Sequence, residues 1–294
     1  MKTSLQSKSI SFLLRLLNVK KTVERQSAKP IIRRSKKGFT PKKLHNQYSV
    51  NEQIIHNKAV TTFEKKDTVS KKHLLFFHGG AYLFEAAAIH WNFAQKLVDK
   101  SNCRLTMIDY PLAPEHDYRA TYGMVTDTYT ALLTQYPNDE FVFIGDSAGA
   151  GLAMGLYQKL VDQQHPQIPT QLILLSPWLD LTLSHPDNKS LESSDHILTL
   201  RMLQNAAERY ANGGDQEHYW LSPINGRLDD FPPTIIFYGS EELFYNDCQK
   251  LERMVSENGN FVFKFYPGMQ HDWPMFPIPE STRVVEDIIG FMGD

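Results

Sequence analysis

The stretch Phe141–Gly151 reads FVFIGDSAGAG. Four apolar residues run into a Gly-Asp-Ser-Ala-Gly knot, and small helix-compatible residues resume directly after it. On its own a Gly-Ser cluster is a flexible turn. Here the flanks argue for something tighter: an apolar run on one side and a helical run on the other describe a strand that turns sharply into a helix. Glycines two residues either side of a serine make the pattern G-x-S-x-G, in Gly145, Asp146, Ser147, Ala148 and Gly149. Such a turn strains the serine backbone, and the flanking glycines let neighbouring backbone pass where a Cβ would collide. Ser147 Oγ is then expected at the carboxyl edge of the strand, with the Ala148 N–H at the helix start facing a developing oxyanion.

Working outward, HLLFFH (73–78), RLTMIDY (104–110), FVFIG (141–145), QLILLSP (171–177), TIIFYG (234–239) and FVFKFYP (261–267) read as buried strands. Helical periodicity fills the intervals at about 87–100, 120–136, 148–163, 245–258 and 280–292. Near-continuous apolar strands alternating with helices predict an α/β fold with a mostly parallel sheet flanked by helices on both faces. From Leu179 to about Arg227 there is no clear strand, but a helical stretch lies near 198–211, between Pro186 and Gly213-Gly214. That interval is too long for a plain loop and is expected to be an insertion over the sheet's carboxyl edge. The division that follows is a basic N-terminal segment (1–50) joining the insertion (179–227) in a cap, and a catalytic body formed by 51–178 and 228–294.

The totals set bounds on this reading. A chain of 294 residues, 41% hydrophobic and 22% charged, matches an ordinary globular protein, and no apolar run approaches the ~20 residues needed to span a bilayer. Two cysteines, Cys103 and Cys248, supply neither a disulfide framework nor a metal-ligand cluster, which favours a cytoplasmic location. At the N-terminus, SKSISFLLRLLNVKK loosely resembles a leader, but Arg15 interrupts the apolar stretch and no small-residue cleavage site follows. Ile10, Leu13, Leu14 and Leu17 recur at helical spacing, so a helix packed on the body is expected. The net charge of -2 hides about a dozen Lys and Arg against a single acid, Glu24, in residues 1–50. With no nucleic-acid-binding motif, this arm reads as a solvated basic face, and no nucleic-acid partner is expected. Membrane-surface contact through the arm, and a homodimer, stay open.

A serine nucleophile needs oxyanion donors, a base and an acid. HGGAY (78–82) follows a predicted strand directly, and its glycines let backbone N–H groups of Gly79, Gly80 and Ala81 approach one oxygen. His78 reads as a brace for that loop. Among 11 histidines, His271 in YPGMQHDW lies between the last strand and the last helix, at the same sheet edge as Ser147. The acid that holds its tautomer should follow strand 234–239, in GSEELFYND: Glu242 is preferred and Glu241 competes, while Asp247 has a structural explanation in a helix's first turn. Tyr82, Leu83 and Phe84 after the oxyanion loop, with Trp178 and Trp220 flanking the insertion, are either an apolar acyl pocket or packing for the cap.

HGGA (78–81), DYPLAPEH (109–116), GDSAGA (145–150), SPWLDL (176–181) and GMQHDW (269–274) together resemble the hormone-sensitive-lipase-like branch of the α/β-hydrolase superfamily. The resemblance spans about residues 73–290. It implies an α/β-hydrolase fold with about eight strands, a helical cap and carboxylesterase activity on small or short-acyl esters through Ser147, His271 and Glu242. It implies no metal, nucleotide or organic cofactor, and makes Glu115 a buried structural carboxylate. Three positions depart from the family pattern: Ala81 and Ala150 where glycine is usual, and Glu where the acid is more often Asp. Two alternatives remain on the same residues: an amidase, peptidase or acyltransferase, or a non-catalytic small-molecule-binding protein.

Overall fold

Strand β5 (Glu140–Asp146), which carries the opening apolar run, lies inside a mixed sheet with neighbours on both sides. A computed structural model describes residues 3–35, 38–68 and 70–293. Its sheet also contains β1 (Ser49–Ile55), β2 (Lys58–Glu64), β3 (Lys72–Phe77), β4 (Arg104–Ile108), β6 (Gln171–Leu175), β7 (Thr234–Glu241) and β8 (Phe261–Gln270). The order is β1-β2-β4-β3-β5-β6-β7-β8. From β4 to β8 every neighbouring pair is parallel, and β1 and β2 are added antiparallel at one edge. This is the mostly parallel sheet expected from the β/α alternation.

Helices follow in chain order: α1 (Leu5–Leu16), α2 (Val19–Ser27), α3 (Leu44–Gln47), α4 (Ala88–Ser101), α5 (Tyr118–Gln135), α6 (Ala148–Asp162), α7 (Asn188–Leu191), α8 (Leu200–Ala211), α9 (Tyr245–Met254) and α10 (Pro279–Met292). Strand side chains alternate between two cores. Phe141 and Phe143 join α5, α6 and α8 on one face, while Val142 and Ile144 join α4 and α10 on the other. Burial on both sides explains why these strands are apolar throughout. Cys103 and Cys248 are free and fully buried.

Two expectations need correction. The apolar pattern places the first strand at 73–78, whereas β1 and β2 precede it, and His56 and Asn57 form the turn between them, with φ of 50° and 61°. Consecutive left-handed residues match the twist of a two-residue hairpin, and asparagine tolerates that conformation well. The N-terminal helix also differs: Ile10 packs on the core, but Leu13 and Leu17 are exposed, so the face predicted to be buried points partly outward.

The insertion contains α7 and α8, and Thr199 caps α8 by accepting the Met202 N–H at 3.0 Å. The N-terminal helices meet this insertion. Helix α2 packs against α8, and the Arg209 guanidinium donates to the Lys29 carbonyl at 2.7 Å. Lys20 Nζ donates to the carbonyls of Glu192 and Asp195. Residues 39–48 instead lie on the body, where Phe39 meets Trp91 edge-on and the Tyr48 hydroxyl donates to Asp99.

Candidate active site

The register brings three strand ends together: Phe77 of β3 lies beside Gly145 of β5, and Asp146 beside Leu175 of β6. Chain direction across the sheet reverses between β3 and β5, so the loops leaving them diverge and open a crevice at their carboxyl ends. Ser147 sits there with φ 52° and ψ -121°, a strained conformation for a residue with a Cβ. Its N–H donates to the Leu175 carbonyl at 2.9 Å, which ties the strained turn to β6. The glycines are required by close approach. A Cβ on Gly145 would meet the Gly149 carbonyl carbon at 2.5 Å, and one on Gly149 would overlap the Phe77 carbonyl oxygen and lie 2.6 Å from that of His78. Helix α6 therefore starts against the end of β3, with Gly149 packed on the Phe77 and His78 carbonyls.

That loop is held from beneath. The His78 ring stacks on Tyr110 with centroids 4.4 Å apart, and the Tyr110 hydroxyl donates to the His78 carbonyl. Burial and the neighbouring His90 push the His78 pKa down to about 3, so the ring is neutral, with Nδ1 2.7 Å from the Gly79 carbonyl. His78 is thus a brace for the loop. Gly80 has φ 119°, a conformation closed to residues with a Cβ, and Ala81 and Tyr82 continue the turn at 53° and 58°.

Across the crevice, His271 follows β8. Its Nε2 lies 2.9 Å from Ser147 Oγ, and its Nδ1 lies 3.2 Å from Glu242 Oε2. Glu242 Oε1 accepts the Gly239 N–H at 2.7 Å, whereas the Glu241 carboxylate is bonded to Ser240. Of the two candidate acids, then, it is Glu242 that reaches the imidazole. Burial raises the Glu242 pKa above the ordinary carboxylate value, while hydrogen bonds from His271, Gly239 and Ser176 oppose that rise.

A further carboxylate escaped the sequence reading. Asp272 Oδ2 is 3.2 Å from His271 Nε2, on the side of the ring that faces Ser147. At that distance the carboxylate's charge favours the protonated imidazole over the neutral one. Burial alone would hold the imidazole pKa down; Asp272 and then Glu242 outweigh it, and His271 stands well above its ordinary value. Ser176 and Asp195 were also missed. Ser176 Oγ accepts the Asp272 N–H at 3.3 Å, and the buried Asp195 carboxylate accepts the N–H groups of Ile197, Leu198 and Leu243. SPWLDL was a visible signal for Ser176; nothing marked Asp195.

The proposed pocket aromatics fare differently. Tyr82 stacks on Tyr210 of α8 at 3.8 Å and lies near Trp178, both rings being fully buried. They are packing between loop and cap and present no free surface to an acyl chain in this closed arrangement, where Ser147 is 3% exposed. Trp220 stacks on Tyr122 of α5 with the Lys159 ammonium over its ring, and Tyr118 links it edge-on to Tyr210, so it too packs the cap. Glu115 is corrected too: it is exposed and pairs with Arg34, so it is no buried carboxylate.

A family model described as alpha/beta hydrolase fold matches residues 74–275. The chain belongs to the α/β-hydrolase fold family. An esterase of Acinetobacter venetianus is 34% identical to this α/β-hydrolase over 238 residues, covering 78% of this chain and 77% of its own. An acetyl-hydrolase of Streptomyces hygroscopicus is 33% identical over 217 residues, 72% of each chain. Among solved structures, a hormone-sensitive lipase from a metagenome library has a TM-score of 0.81 at 23% identity, covering 99% of this chain and 98% of that one, a likeness of fold.

Proposed function

We propose that this α/β-hydrolase is a serine carboxylesterase acting on small or short-acyl esters. The observation that carries the reading is the imidazole of His271, within hydrogen-bond reach of Ser147 Oγ on one nitrogen and of Glu242 on the other. Relatives named esterase and acetyl-hydrolase support carboxylic ester hydrolysis.

Ser147 Oγ attacks the ester carbonyl carbon as its proton passes to His271 Nε2, and Glu242 stabilises the imidazolium. The carbonyl electrons move to an oxyanion that the N–H groups of Gly80, Ala81 and Ala148, with Gly79 beside them, are suited to hold. Collapse expels the alkoxide, which takes the proton from Nε2 and leaves acyl-Ser147. Water then attacks by the same route, its proton going to His271, and the carboxylic acid leaves. Aromatic packing of Tyr82 and Trp178 against the cap favours a short acyl group, because little free space adjoins the nucleophile.

The test is a fluorophosphonate probe, the labelled residue read by mass spectrometry, alongside hydrolysis of 4-nitrophenyl acetate, butyrate and decanoate. Label is expected on Ser147, with Ser147→Ala losing at least ~10³ in turnover and the acetyl and butyryl esters outpacing decanoyl. Near-parental hydrolysis by Ser147→Ala would sink the serine mechanism, and a preference for decanoate would sink the short-acyl assignment. Folded protein with neither label nor turnover overturns the esterase reading itself.

A further inference from the structure

Helix α1 turns an apolar face to solvent. Leu5, Phe12, Leu16 and Leu17 are 79%, 64%, 66% and 68% exposed, and Leu13 is 49% exposed. At 3.6 residues per turn, Leu5, Phe12 and Leu16 fall within a stripe about 40° wide, with Leu13 on one flank. Lys8 and Arg15, both exposed, fall on the other flank. The opposite side of the helix is the one that packs. The Ser4 N–H and hydroxyl donate to Glu280 at 2.7 and 2.9 Å, Ser7 Oγ donates to Met269 Sδ, and Ile10 joins the core. The helix is therefore firmly seated, and its outward apolar stripe is set by that seating.

The charge around the stripe is one-sided. From Leu5 to Ser27 the chain carries Lys8, Arg15, Lys20, Lys21 and Arg25 against Glu24. Glu24 faces Arg201 at 3.9 Å and Glu280 is taken by Ser4, so the neighbouring acids are already engaged. Large aliphatic and aromatic side chains on one face, flanked by exposed cations, match a helix lying in the plane of a bilayer interface. A two-fold contact with a second copy would instead bring like charges together around the same stripe.

We propose that α1 docks this α/β-hydrolase on an anionic lipid surface, with Phe12 and Leu16 entering the interface and Lys8 and Arg15 meeting lipid headgroups. Docking goes beyond ester hydrolysis and does not depend on it. It sets the lipid beside the cap, because α2 follows α1 directly and Lys20 of α2 holds the 192–195 segment.

The test uses the full chain, flotation with vesicles of phosphatidylcholine and phosphatidylglycerol, and vesicles of phosphatidylcholine alone. Bound fraction is expected to be at least tenfold higher on the anionic vesicles and to fall as salt rises. The double variants Phe12→Glu with Leu16→Glu, and Lys8→Glu with Arg15→Glu, are each expected to lose at least tenfold of that binding. Parental thermal melts and 4-nitrophenyl acetate turnover in both variants would show that the body is intact. Flotation needs no turnover, so a failed esterase assignment leaves this outcome readable. Equal binding to both vesicle types, or parental flotation by either variant, overturns the proposal. So does a dimer in solution that Phe12→Glu with Leu16→Glu converts to monomer, which would assign the stripe to a second copy.

Discussion

Asp272 has φ 53°, and this left-handed backbone turns its carboxylate back onto the imidazole of the residue before it. A consequence is measurable. His271 must be unprotonated to accept the Ser147 proton, so activity rises with pH through the His271 pKa. Burial pulls that pKa down, but Asp272 and Glu242 together lift it well above the ordinary imidazole value. Asp272→Asn removes the larger of the two lifting carboxylates. The acidic limb of kcat/KM is expected to move to lower pH, with activity at pH 6 rising several-fold relative to that at pH 8. A limb that stays in place would mean that the Asp272 charge does not act on the imidazole. Ser147 and His271 were legible because chain order and strand-end placement specify them, and the same placement left the acid between Glu241 and Glu242. The role of Asp272 was not legible, because it depends on one backbone angle that the letters HDW do not encode.

Among the elements, the β5–α6 turn was legible because its tolerances are steric. Gly149→Ala sets a Cβ against the Phe77 and His78 carbonyl oxygens, and neither is a side chain that can swing away. The expected cost is about 2–4 kcal/mol in urea denaturation, with turnover reduced more than a hundredfold as the turn shifts. Helix α9 offers the opposite case. Asp247 is buried in its first turn, and burial together with Asp180 pushes its pKa up to about 8. The unfolded chain releases this proton near pH 4, so stability drains as pH rises from there toward 8. Asp247→Asn is expected to recover up to about 4 kcal/mol at pH 7, at 1.36 kcal/mol per pH interval. Denaturation curves at pH 7 and pH 4.5 should therefore differ in how far the variant exceeds its parent. The hairpin β1–β2 was missed for a physical reason: β1 is an edge strand whose residues are exposed or half-buried, so SVNEQII carries little of the pattern that marks a core strand. The His56-Asn57 turn was its readable signal. Similarly, the spacing in α1 described a face but not the direction it takes.

At the scale of the molecule, the sheet order explains why Ser147, Glu242 and His271, 29 to 124 positions apart in the chain, converge: β5, β7 and β8 all deliver their carboxyl ends to one edge, beside that of β3. That much followed from alternation alone. What closes the edge did not, because the cap is held by side chains such as Lys20 and Asp195, whose partners are set by tertiary packing. The two cysteines bear on experiment at this scale. Both thiols are fully buried, and burial pushes Cys103 up to about 11 and Cys248 higher than its ordinary value. A thiol-specific disulfide reagent is expected to find no rapidly reacting group in the native protein and two per chain in denaturant. The native chain is thus a blank background for site-specific labelling. A Leu16→Cys substitution on the exposed stripe would give one addressable position, where an environment-sensitive fluorophore could report contact with lipid in real time while both native thiols remain silent.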